Sequence, residues 1–298
     1  MEQKTMAFPK VLLLGNGINR AFDADSWEDM LKAITERDDL PKELHLPMPL
    51  QAVLVSNDHL SKNLSDPENQ KNWFGKLTKD GKQGQLLRQL LQIGFDEILT
   101  TNYSYELEAA ALGHNSLTAA QVKKLAAHTP KVTRCESRYR LFTYNQLPDG
   151  NRVWHIHGEA RIPDSMILGH YYYGDMVSKM KEYQAQYGGL YQQRQIPNQN
   201  QPLYSWLDSF ILGDVYVLGF GFDVSELDLW WLLGRKKREK ANHGKVYFYE
   251  PRKEGFQEKD ELLKLYDVEL RDCGFQASGV DYKMFYKAAI EDIQRQNR

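Results

Sequence analysis

Two short, unbroken apolar runs constrain the fold of this chain more than any other feature of its sequence. They lie at 11–14 and 215–218, and each leads into a pair of glycines, Gly15 and Gly17 after the first run and Gly219 and Gly221 after the second. Unbroken apolar runs of this length are typical of strands buried on both faces, as in parallel sheets. The two runs therefore predict parallel strands that end in glycine turns.

Segments with helical periodicity alternate with strand-like segments along the rest of the chain. The predicted helices are 27–37 with Ser26 as its cap, a stretch that ends near 92, 104–112, 176–187, 225–238 and 282–294. The predicted strands after the first are 94–103, 139–144, 152–156, 214–218 and 245–249. Within 225–238, the expected buried side consists of Leu227, Trp230, Trp231 and Leu233. This alternation favours an α/β fold with a mostly parallel sheet and helices on both faces.

The centre of the sequence places a histidine at the end of a strand. The strand-like segments 139–144 and 152–156 flank a Pro-Asp-Gly-Asn turn and predict a hairpin that leads to His157. Gly158 follows, and a glycine lets the backbone approach a ligand closely. We expect His157 to point into a cleft and His155 to lie on the opposite face of the strand. The alternative is that His157 is a hydrogen-bonded packing residue.

Turns at the strand ends are the candidate ligand-binding features. Open α/β sheets bind ligands at the carboxyl ends of their strands, because backbone amides and helix N-termini there donate hydrogen bonds to phosphate oxygens. The two glycine turns fit this pattern, although Arg20 stands where a dinucleotide fingerprint has its third glycine. Asn102 follows another predicted strand, and its amide group can bind a ribose hydroxyl or a water. The alternatives are turns that only connect elements and an asparagine that only caps a helix.

Composition and charge exclude several classes of protein. The 298 residues include 38 basic and 40 acidic side chains, so direct nucleic-acid binding is not expected. The two cysteines, Cys135 and Cys273, provide neither a disulfide framework nor a four-cysteine zinc site. No apolar run approaches the ~18 residues that a membrane span needs, and we expect a soluble, cytoplasmic protein without membrane partners.

Four short motifs, in their order and rough spacing, resemble those of the sirtuin-like (SIR2-like) family. They are Gly15-Asn16-Gly17-Ile18-Asn19, Thr101-Asn102-Tyr103, His157-Gly158 and Gly219-Phe220-Gly221. The resemblance covers about 10–250. It implies a Rossmann-like fold in a single catalytic domain over 1–298, with helical insertions at about 38–92 and 159–205.

The resemblance also implies a role for each motif in binding NAD. The first motif would cradle the dinucleotide phosphates, and the late glycine motif would contact the adenosine half. Asn102 and His157 would surround the nicotinamide ribose, which makes them the candidate catalytic residues. The residues expected to bind the dinucleotide are Gly15, Asn16, Gly17, Asn19, Thr101, Gly219 and Gly221.

Two departures narrow the resemblance. Protein-deacylating sirtuins carry two CxxC pairs for a structural zinc after the catalytic histidine, and this chain has none, so no metal is expected. The Thr-Thr-Asn-Tyr sequence that ends at Tyr103, with Glu108 in the following helix, is similar to a bacterial branch found in phage-defence proteins, whose members hydrolyse NAD. That branch usually has an acidic residue after the tyrosine, where this sequence has Ser104.

The resemblance and its departures predict an NAD+ glycohydrolase that cleaves the nicotinamide–ribose bond and depletes NAD in phage defence. NAD would be the substrate, with no further cofactor. His157 would act as the general base, since an unperturbed histidine has a pKa near ~6.5, and Asn102 would orient the water and the ribose. The alternatives are a deacylase without zinc and a sensor that binds NAD or ADP-ribose without chemistry.

A segment that covers the site and a means of activating the enzyme are predicted as well. The tyrosine-rich segment 171–191 is expected to form a helical cap over the nicotinamide end, because aromatic rings stack on flat ligands. A homo-oligomer or an activating partner protein is expected to switch the enzyme on, because an uncontrolled NAD hydrolase would empty its own cell. Asn102→Ala and His157→Ala are each expected to abolish cleavage in a folded protein, with His155→Ala as a control that affects only packing.

Overall fold

The centre of the computed structural model is a sheet of eight strands. The structure describes residues 8–24, 29, 46–54, 76–129, 136, 138–193, 205–240 and 242–296. The strands are β1 (Lys10–Leu14), β2 (Glu97–Thr100), β3 (Ala126–His128), β4 (Thr143–Gln146), β5 (Arg152–His155), β6 (Asp214–Leu218), β7 (Val246–Tyr249) and β8 (Val268–Arg271). Their order across the sheet is β3-β4-β5-β2-β1-β6-β7-β8.

Helices pack on both faces of this sheet. In the described part of the chain they are α1 (Gly17–Arg20), α2 (Met48–Leu54), α3 (Lys82–Leu91), α4 (Glu106–Leu112), α5 (Ala119–Leu125), α6 (His170–Gln193), α7 (Trp206–Leu212), α8 (Leu227–Lys237), α9 (Glu258–Leu265) and α10 (Tyr282–Gln296). Helices α3, α4, α5 and α10 contribute to the hydrophobic cluster on one face, and α6 to α9 contribute to the cluster on the other. The predicted α/β, Rossmann-like fold is confirmed. None of the helices within these residues is both long and apolar enough to cross a membrane.

The first strand shows why its apolar run is unbroken. Leu12 and Leu14 belong to the cluster on one face, and Val11 and Leu13 belong to the cluster on the other. β1 pairs in parallel with β2 on one side and with β6 on the other, so the chain builds the sheet outward from β1 in two directions. The carboxyl ends of β1 and β6 therefore frame the crevice in which open sheets of this type bind ligands.

The predicted hairpin is present, with strands shorter than expected. β4 and β5 pair in antiparallel fashion, with Asn145 opposite Val153. β5 ends at His155, one residue earlier than predicted, and its other edge pairs in parallel with β2. The carboxyl ends of β2 and β5 thus lie side by side, and Asn102 and His157 lie in the loops that follow them.

Most of the predicted helices are present with shifted ends. Helices α3, α4, α8 and α10 correspond to predicted ones, and the helix predicted at 176–187 is part of the longer α6. The helix predicted at 27–37 lies outside the described residues, and the two helical insertions stay a prediction. Of the predicted buried side of α8, Leu233 is confirmed, Trp230 and Trp231 are half-buried, and Leu227 is wrong. Leu227 is exposed, and the buried residues of that helix are Asp228, Leu229, Leu232, Leu233 and Lys236.

Candidate functional site

The two glycine turns at the ends of β1 and β6 pack directly against each other. The amide of Gly15 donates to the carbonyl of Leu218 (3.0 Å), and the amide of Gly17 donates to the carbonyl of Gly219 (2.7 Å). A side chain at Gly15 or Gly17 would overlap backbone atoms of Gly219. The contact between the turns therefore requires these glycines. In this conformation the amides of Gly15 and Gly17 already have partners, and the binding of phosphates by the first motif stays a prediction.

The late glycine turn has free space beside Gly221, whereas the first glycine turn is packed against other backbone atoms. Gly219 has a φ of +67°, in the left-handed region that favours glycine, whereas a Cβ at Gly221 would meet no described atom within 4 Å. The carbonyl of Gly221 accepts a hydrogen bond from Nζ of Lys259 (3.0 Å), which also pairs with Glu250 (2.7 Å). Glu250 lines a cleft of about 740 Å³ between the segments that follow β7 and β8. Gly221 is thus the glycine of this turn that a ligand can approach.

The two asparagines of the first motif bind each other and a helix. Nδ2 of Asn19 donates to Oδ1 of Asn16 (3.0 Å), and Nε2 of Gln83 donates to Oδ1 of Asn19 (3.0 Å). Asn19 and Gln83 are both buried. The motif is therefore fixed to α3 by Gln83, a residue that the sequence analysis did not single out.

Asn102 lies at the end of β2 beside the first glycine turn. Its Nδ2 donates to the carbonyl of Gly15 (3.4 Å), and its backbone amide donates to Oγ1 of Thr100 (3.1 Å). The amide of Thr101 donates to the carbonyl of Leu14 (3.2 Å). Helix α4 begins four residues beyond Asn102, so Asn102 does not cap that helix. The structure brings Asn102 and the first turn together, as the sequence motifs suggested.

A narrow, mostly apolar cleft, too small in this conformation to hold a water, lies next to Asn102. Asn19, Ser104 and Glu106 line it together with Asn102, and the other lining residues are Leu14, Leu87, Thr100 and Leu107. The hydroxyl of Ser104 donates to Oε2 of Glu106 (2.6 Å). Burial raises the pKa of Glu106, and the hydrogen bond from Ser104 opposes part of that rise. The polar groups at this cleft are therefore an amide, a hydroxyl and a carboxylate, and the cleft must widen before a ribose can reach them.

His155 is buried and engaged at both ring nitrogens. Nδ1 lies 2.7 Å from the carbonyl oxygen of Asn102, and Nε2 lies 2.8 Å from Oε1 of Glu108. Burial by itself would lower the pKa of His155, but Glu108, Glu159 and the Asn102 carbonyl together raise it. The protonated ring donates to both partners. His155 is buried, as expected of a packing residue, and its ring also holds the loop that carries Asn102, so the effect of His155→Ala stays a prediction.

His157 lies in a second, buried cluster and is not among the residues that line the Asn102 cleft. Its Nε2 is 2.8 Å from Oδ2 of Asp228, and its Nδ1 is 3.9 Å from Oε2 of Glu226. The edge of its ring packs against Tyr173, with 5.5 Å between the ring centroids. Only 2% of His157 is exposed. We call His157, Asp228, Glu226 and Tyr173 the histidine cluster.

The turn after β5 is what separates the two histidines. Residues two apart in a regular strand share a face. Because β5 ends at His155, the chain turns before His157, which then contacts α8 while His155 contacts α4. Gly158 has a φ of +95°, and a side chain there would overlap the carbonyl of Ser165. Gly158 therefore serves a close contact within the chain, and not the approach of a ligand that the sequence suggested.

The histidine cluster changes the charge of His157. Burial by itself would lower the pKa of His157, but Asp228 and Glu226 raise it to about 9. Burial raises the pKa of Glu226 to about 7, although the charge on His157 opposes this rise. At neutral pH the His157 ring is therefore protonated on both nitrogens. A general base must be neutral to accept a proton, so the role of His157 as the base requires that this cluster rearrange, and it stays a prediction.

Ligand atoms of His157, Glu226 and Asp228 lie within 4.8 Å of one another, close enough to share a metal ion. The ring presents Nε2 to Asp228 and Nδ1 to Glu226, on different sides of the imidazole. A histidine that ligates a metal ion uses one nitrogen for the ion and the other for a hydrogen bond. The arrangement fits a charged imidazolium between two carboxylates better than it fits a metal ion.

The tyrosine-rich segment contacts the histidine cluster. Tyr173, in the first turn of α6, packs on His157, and its hydroxyl forms a hydrogen bond with Glu226. Tyr171, two residues earlier, is 70% exposed. The predicted contact between this segment and His157 is present, with Tyr173 as the contacting residue. A role in covering nicotinamide stays a prediction.

Glu106, Glu226 and Asp228 are the site residues that sequence reasoning missed. Asp228 stands between two leucines at the start of α8, and Lys236 stands two turns later on the same side. Counting the helical period from Leu229 and Leu232 would have placed Asp228 on the buried side. A buried acid of this kind needs a partner. The sequence does contain that signal, but the larger tryptophans of the helix obscured it.

A known protein family matches the part of the chain that contains most of the candidate site. The family described as SIR2-like domain matches residues 96–271, more than half of the chain. The matched range contains Asn102, His157 and the late glycine turn, and it begins after the first turn. No curated protein matches the chain significantly.

Proposed function

Because the chain belongs to the SIR2-like family, whose members are NAD-dependent enzymes, we propose that it is an NAD+ glycohydrolase. The observation that carries the proposal is that Asn102, Ser104 and Glu106 lie together beside the first glycine turn. This cleft is at the carboxyl end of β2, next to β1, from which the strand order continues in both directions. Open parallel sheets bind nucleotides at this point.

The reaction would break the bond between nicotinamide and ribose. Positive charge moves from the pyridinium ring onto the ribose C1′ as neutral nicotinamide leaves, so the site must stabilise an oxocarbenium-like centre and admit a water. We assign the positioning of the ribose hydroxyls and of this water to Asn102. Thr100 and His155 hold the backbone of Asn102 on either side, which limits its freedom before substrate binds. Loss of such positioning typically costs about 100-fold in rate.

We assign the adenosine half of NAD to the late turn. A Cβ at Gly221 would meet open space, and Lys259 connects this glycine to Glu250 at the edge of the 740 Å³ cleft. The dinucleotide would then extend from the Asn102 cleft across the ends of β1 and β6. Gly15 and Gly17 would contribute the close contact between the turns that shapes this path.

The covered position of His157 favours water over an acyl-lysine oxygen as the nucleophile. Helix α6 packs over His157 through Tyr173, so an acyl-lysine peptide that had to reach this histidine would displace the helix. A water has no such requirement. The second candidate function is a nucleotide sensor without chemistry, which the protonated state of His157 favours.

We propose that the enzyme depletes NAD in phage defence and is inactive until a homo-oligomer or a partner protein activates it. Two features support a resting state. The Asn102 cleft is narrow, and His157 is buried and bound to Asp228. An enzyme that consumes the NAD of its own cell needs such a state.

The test is to incubate the purified chain with NAD+ over a wide range of protein concentrations and to separate the products by chromatography. Nicotinamide and ADP-ribose should appear in equal amounts, and Asn102→Ala should reduce the rate about 100-fold while NAD still binds. An acyl-lysine peptide is added in a parallel reaction, and NAD-dependent loss of its acyl group would favour the deacylase. NAD that binds at every concentration without being consumed would favour the sensor. Wild-type rates from Asn102→Ala would remove Asn102 from the site.

A further inference from the structure

The helix α10 reaches the junction of the two glycine turns. This helix lies beyond residue 271, where the match to the family ends. A side chain at Gly17 would overlap both the hydroxyl of Tyr286 and the backbone of Gly219. The Tyr286 hydroxyl therefore lies directly against Gly17, at the place where the first turn meets the late turn.

The hydroxyl of Tyr286 forms no hydrogen bond with a described residue, although only 5% of Tyr286 is exposed. Its ring packs against the rings of Phe285 and Tyr282, and a phenylalanine would make the same contacts. The hydroxyl of a buried tyrosine usually has a hydrogen-bond partner, because leaving it without one costs free energy. The hydroxyl at the junction of the turns is therefore available to donate to a ligand.

The charged groups near this hydroxyl favour an anion as that ligand. Burial raises the pKa of Tyr286, Glu250 adds to the rise and Arg20 opposes it, so the hydroxyl stays protonated and can donate. Glu250 pairs with Lys253 (3.2 Å) and Lys259 (2.7 Å), which balance its charge. Arg20, at the end of α1, is exposed and pairs with no described acid. The unpaired charge close enough to act on the hydroxyl is therefore positive.

The position of the hydroxyl corresponds to the middle of a dinucleotide. Asn102, to which the ribose next to nicotinamide is assigned, contacts the first turn at the carbonyl of Gly15 (3.4 Å). The adenosine half is assigned to the late turn at Gly221. The Tyr286 hydroxyl lies between these two positions, where the turns meet. The group that joins the two halves of NAD is a pyrophosphate, whose charged oxygens accept hydrogen bonds.

We propose that the Tyr286 hydroxyl and the Arg20 guanidinium bind the pyrophosphate of the dinucleotide at this junction. The inference rests on the proposed function, because it takes NAD to be the ligand. The hydroxyl donates to a phosphate oxygen, and the planar guanidinium donates parallel bonds to the same group. The pyrophosphate is unchanged by cleavage of the nicotinamide–ribose bond, so these bonds stabilise substrate and transition state alike. Tyr286 and Arg20 therefore set the affinity for the dinucleotide.

The first experiment uses titration calorimetry with ADP-ribose, which contains the pyrophosphate, and with adenosine, which has no phosphate. Tyr286→Phe and Arg20→Gln should each weaken the binding of ADP-ribose by about tenfold, the usual value of a hydrogen bond to a charged group. Both should leave the binding of adenosine unchanged. Arg20→Lys keeps the charge without the planar fork, and it should recover part of the affinity that Arg20→Gln loses.

The matched controls are a tyrosine and an arginine outside the junction. Tyr282→Phe removes a hydroxyl from the same helix one turn earlier, where the residue is 44% exposed. Arg238→Gln removes an exposed guanidinium at the end of α8. Both controls should bind ADP-ribose with the wild-type affinity.

Three results of the calorimetry would overturn the proposal. They are an unchanged affinity for ADP-ribose in either variant, an equal loss of affinity for adenosine, and a wild type that binds neither ADP-ribose nor NAD+. Circular dichroism checks that each variant folds. If Tyr286→Phe does not fold, Arg20→Gln decides alone, since its side chain is exposed, and a wild-type affinity for ADP-ribose would then overturn the proposal.

The second experiment separates this proposal from the proposed function. If the wild type cleaves NAD+, Tyr286→Phe and Arg20→Gln should raise KM by about tenfold with little change in kcat, which is the result of losing bonds that substrate and transition state share. A lower kcat with an unchanged KM would overturn the proposal. If the wild type binds NAD+ without cleaving it, the proposed hydrolysis fails, and the affinities for ADP-ribose still decide whether Tyr286 and Arg20 bind the pyrophosphate.

Discussion

The Asn102 cleft and the histidine cluster follow neighbouring strands of one sheet, yet they hold their polar groups in opposite ways. Asn102, Ser104 and Glu106 are partly exposed and bond mainly to nearby atoms of their own loop and of the first turn. His157 and Asp228 are buried, and they join two elements that are distant in the sequence. Residues that were expected to surround the same ribose therefore need not share a chemical state. The polar groups of one region are partly exposed, and those of the other are closed around a charge.

This difference sets what a substitution should do in each region. Burying a charge costs several kcal/mol unless a partner compensates for it. In the histidine cluster that compensation comes from Asp228 of α8, and Tyr173 of α6 adds a hydrogen bond to Glu226, so the cluster connects the end of β5 to two helices. Changes in the cluster should lower stability first. Changes in the Asn102 cleft should lower catalysis first.

The largest expected effect on stability is that of Asp228→Ala. The substitution leaves a protonated His157 buried without its partner, and removal of one member of a buried ion pair typically costs about 3–5 kcal/mol. For a chain of this size that loss lowers Tm by roughly 10 °C. Thermal unfolding followed by circular dichroism measures it. Asn102→Ala is the matched variant from the other region and should change stability by less than about 1 kcal/mol. Similar losses from both substitutions would mean that the two regions are not distinct in the way described.

The parts of the fold that were predictable from sequence are those that depend on local pattern. The strand predicted at 214–218 has the observed bounds of β6, because an unbroken apolar run between polar residues admits few other structures. The buried face of α8 follows from the period of Leu229 and Leu232, but the partners of its buried polar residues were not predictable in the same way. Asp228 and Lys236 are buried there because His157 accepts the first as a partner and three backbone carbonyls before β6 accept the second. Hydrophobicity along one helix contains no information about such partners.

The candidate site also has one part that local sequence patterns predict and one part that they do not. The motif containing Asn102 could be placed at a strand end, since the strand and the following helix are both local patterns. The protonation of His157 could not be predicted, because it depends on a carboxylate that is 71 residues away in the sequence. His155 and His157 were expected on opposite faces of one strand, but residues two apart in a regular strand share a face. The observed reason for their separation is the end of β5 at His155.

The second-largest expected effect is a dependence of stability on pH, which should also distinguish the two regions. The pKa of His157 is raised to about 9 in the folded protein, so its contribution to stability is complete below the unfolded pKa of 6.5 and is lost as pH rises through about 9. A shift of this size corresponds to on the order of 3 kcal/mol. Urea unfolding at intervals between pH 6 and 10 measures this loss as a fall in the free energy of unfolding with rising pH. Asp228→Asn should flatten the curve, whereas Asn102→Ala should leave its slope unchanged. A wild-type stability that stays constant across this range would contradict the charged state of His157.

The smallest expected effect comes from Tyr173→Phe, which removes one hydroxyl from the histidine cluster and keeps the ring that packs on His157. The hydroxyl bonds to Glu226, whose pKa is about 7, so the bond is strongest when this carboxylate is charged. The substitution should therefore cost about 1–2 kcal/mol in urea unfolding at pH 8 and less at pH 5, where Glu226 is protonated. Tyr171→Phe, on the same helix but 70% exposed, should have no measurable effect at either pH. Because the Asn102 cleft does not include Tyr173, the rate of NAD cleavage should be unchanged. A large loss of activity without a loss of stability would place this tyrosine beside the substrate and join the two regions into one site.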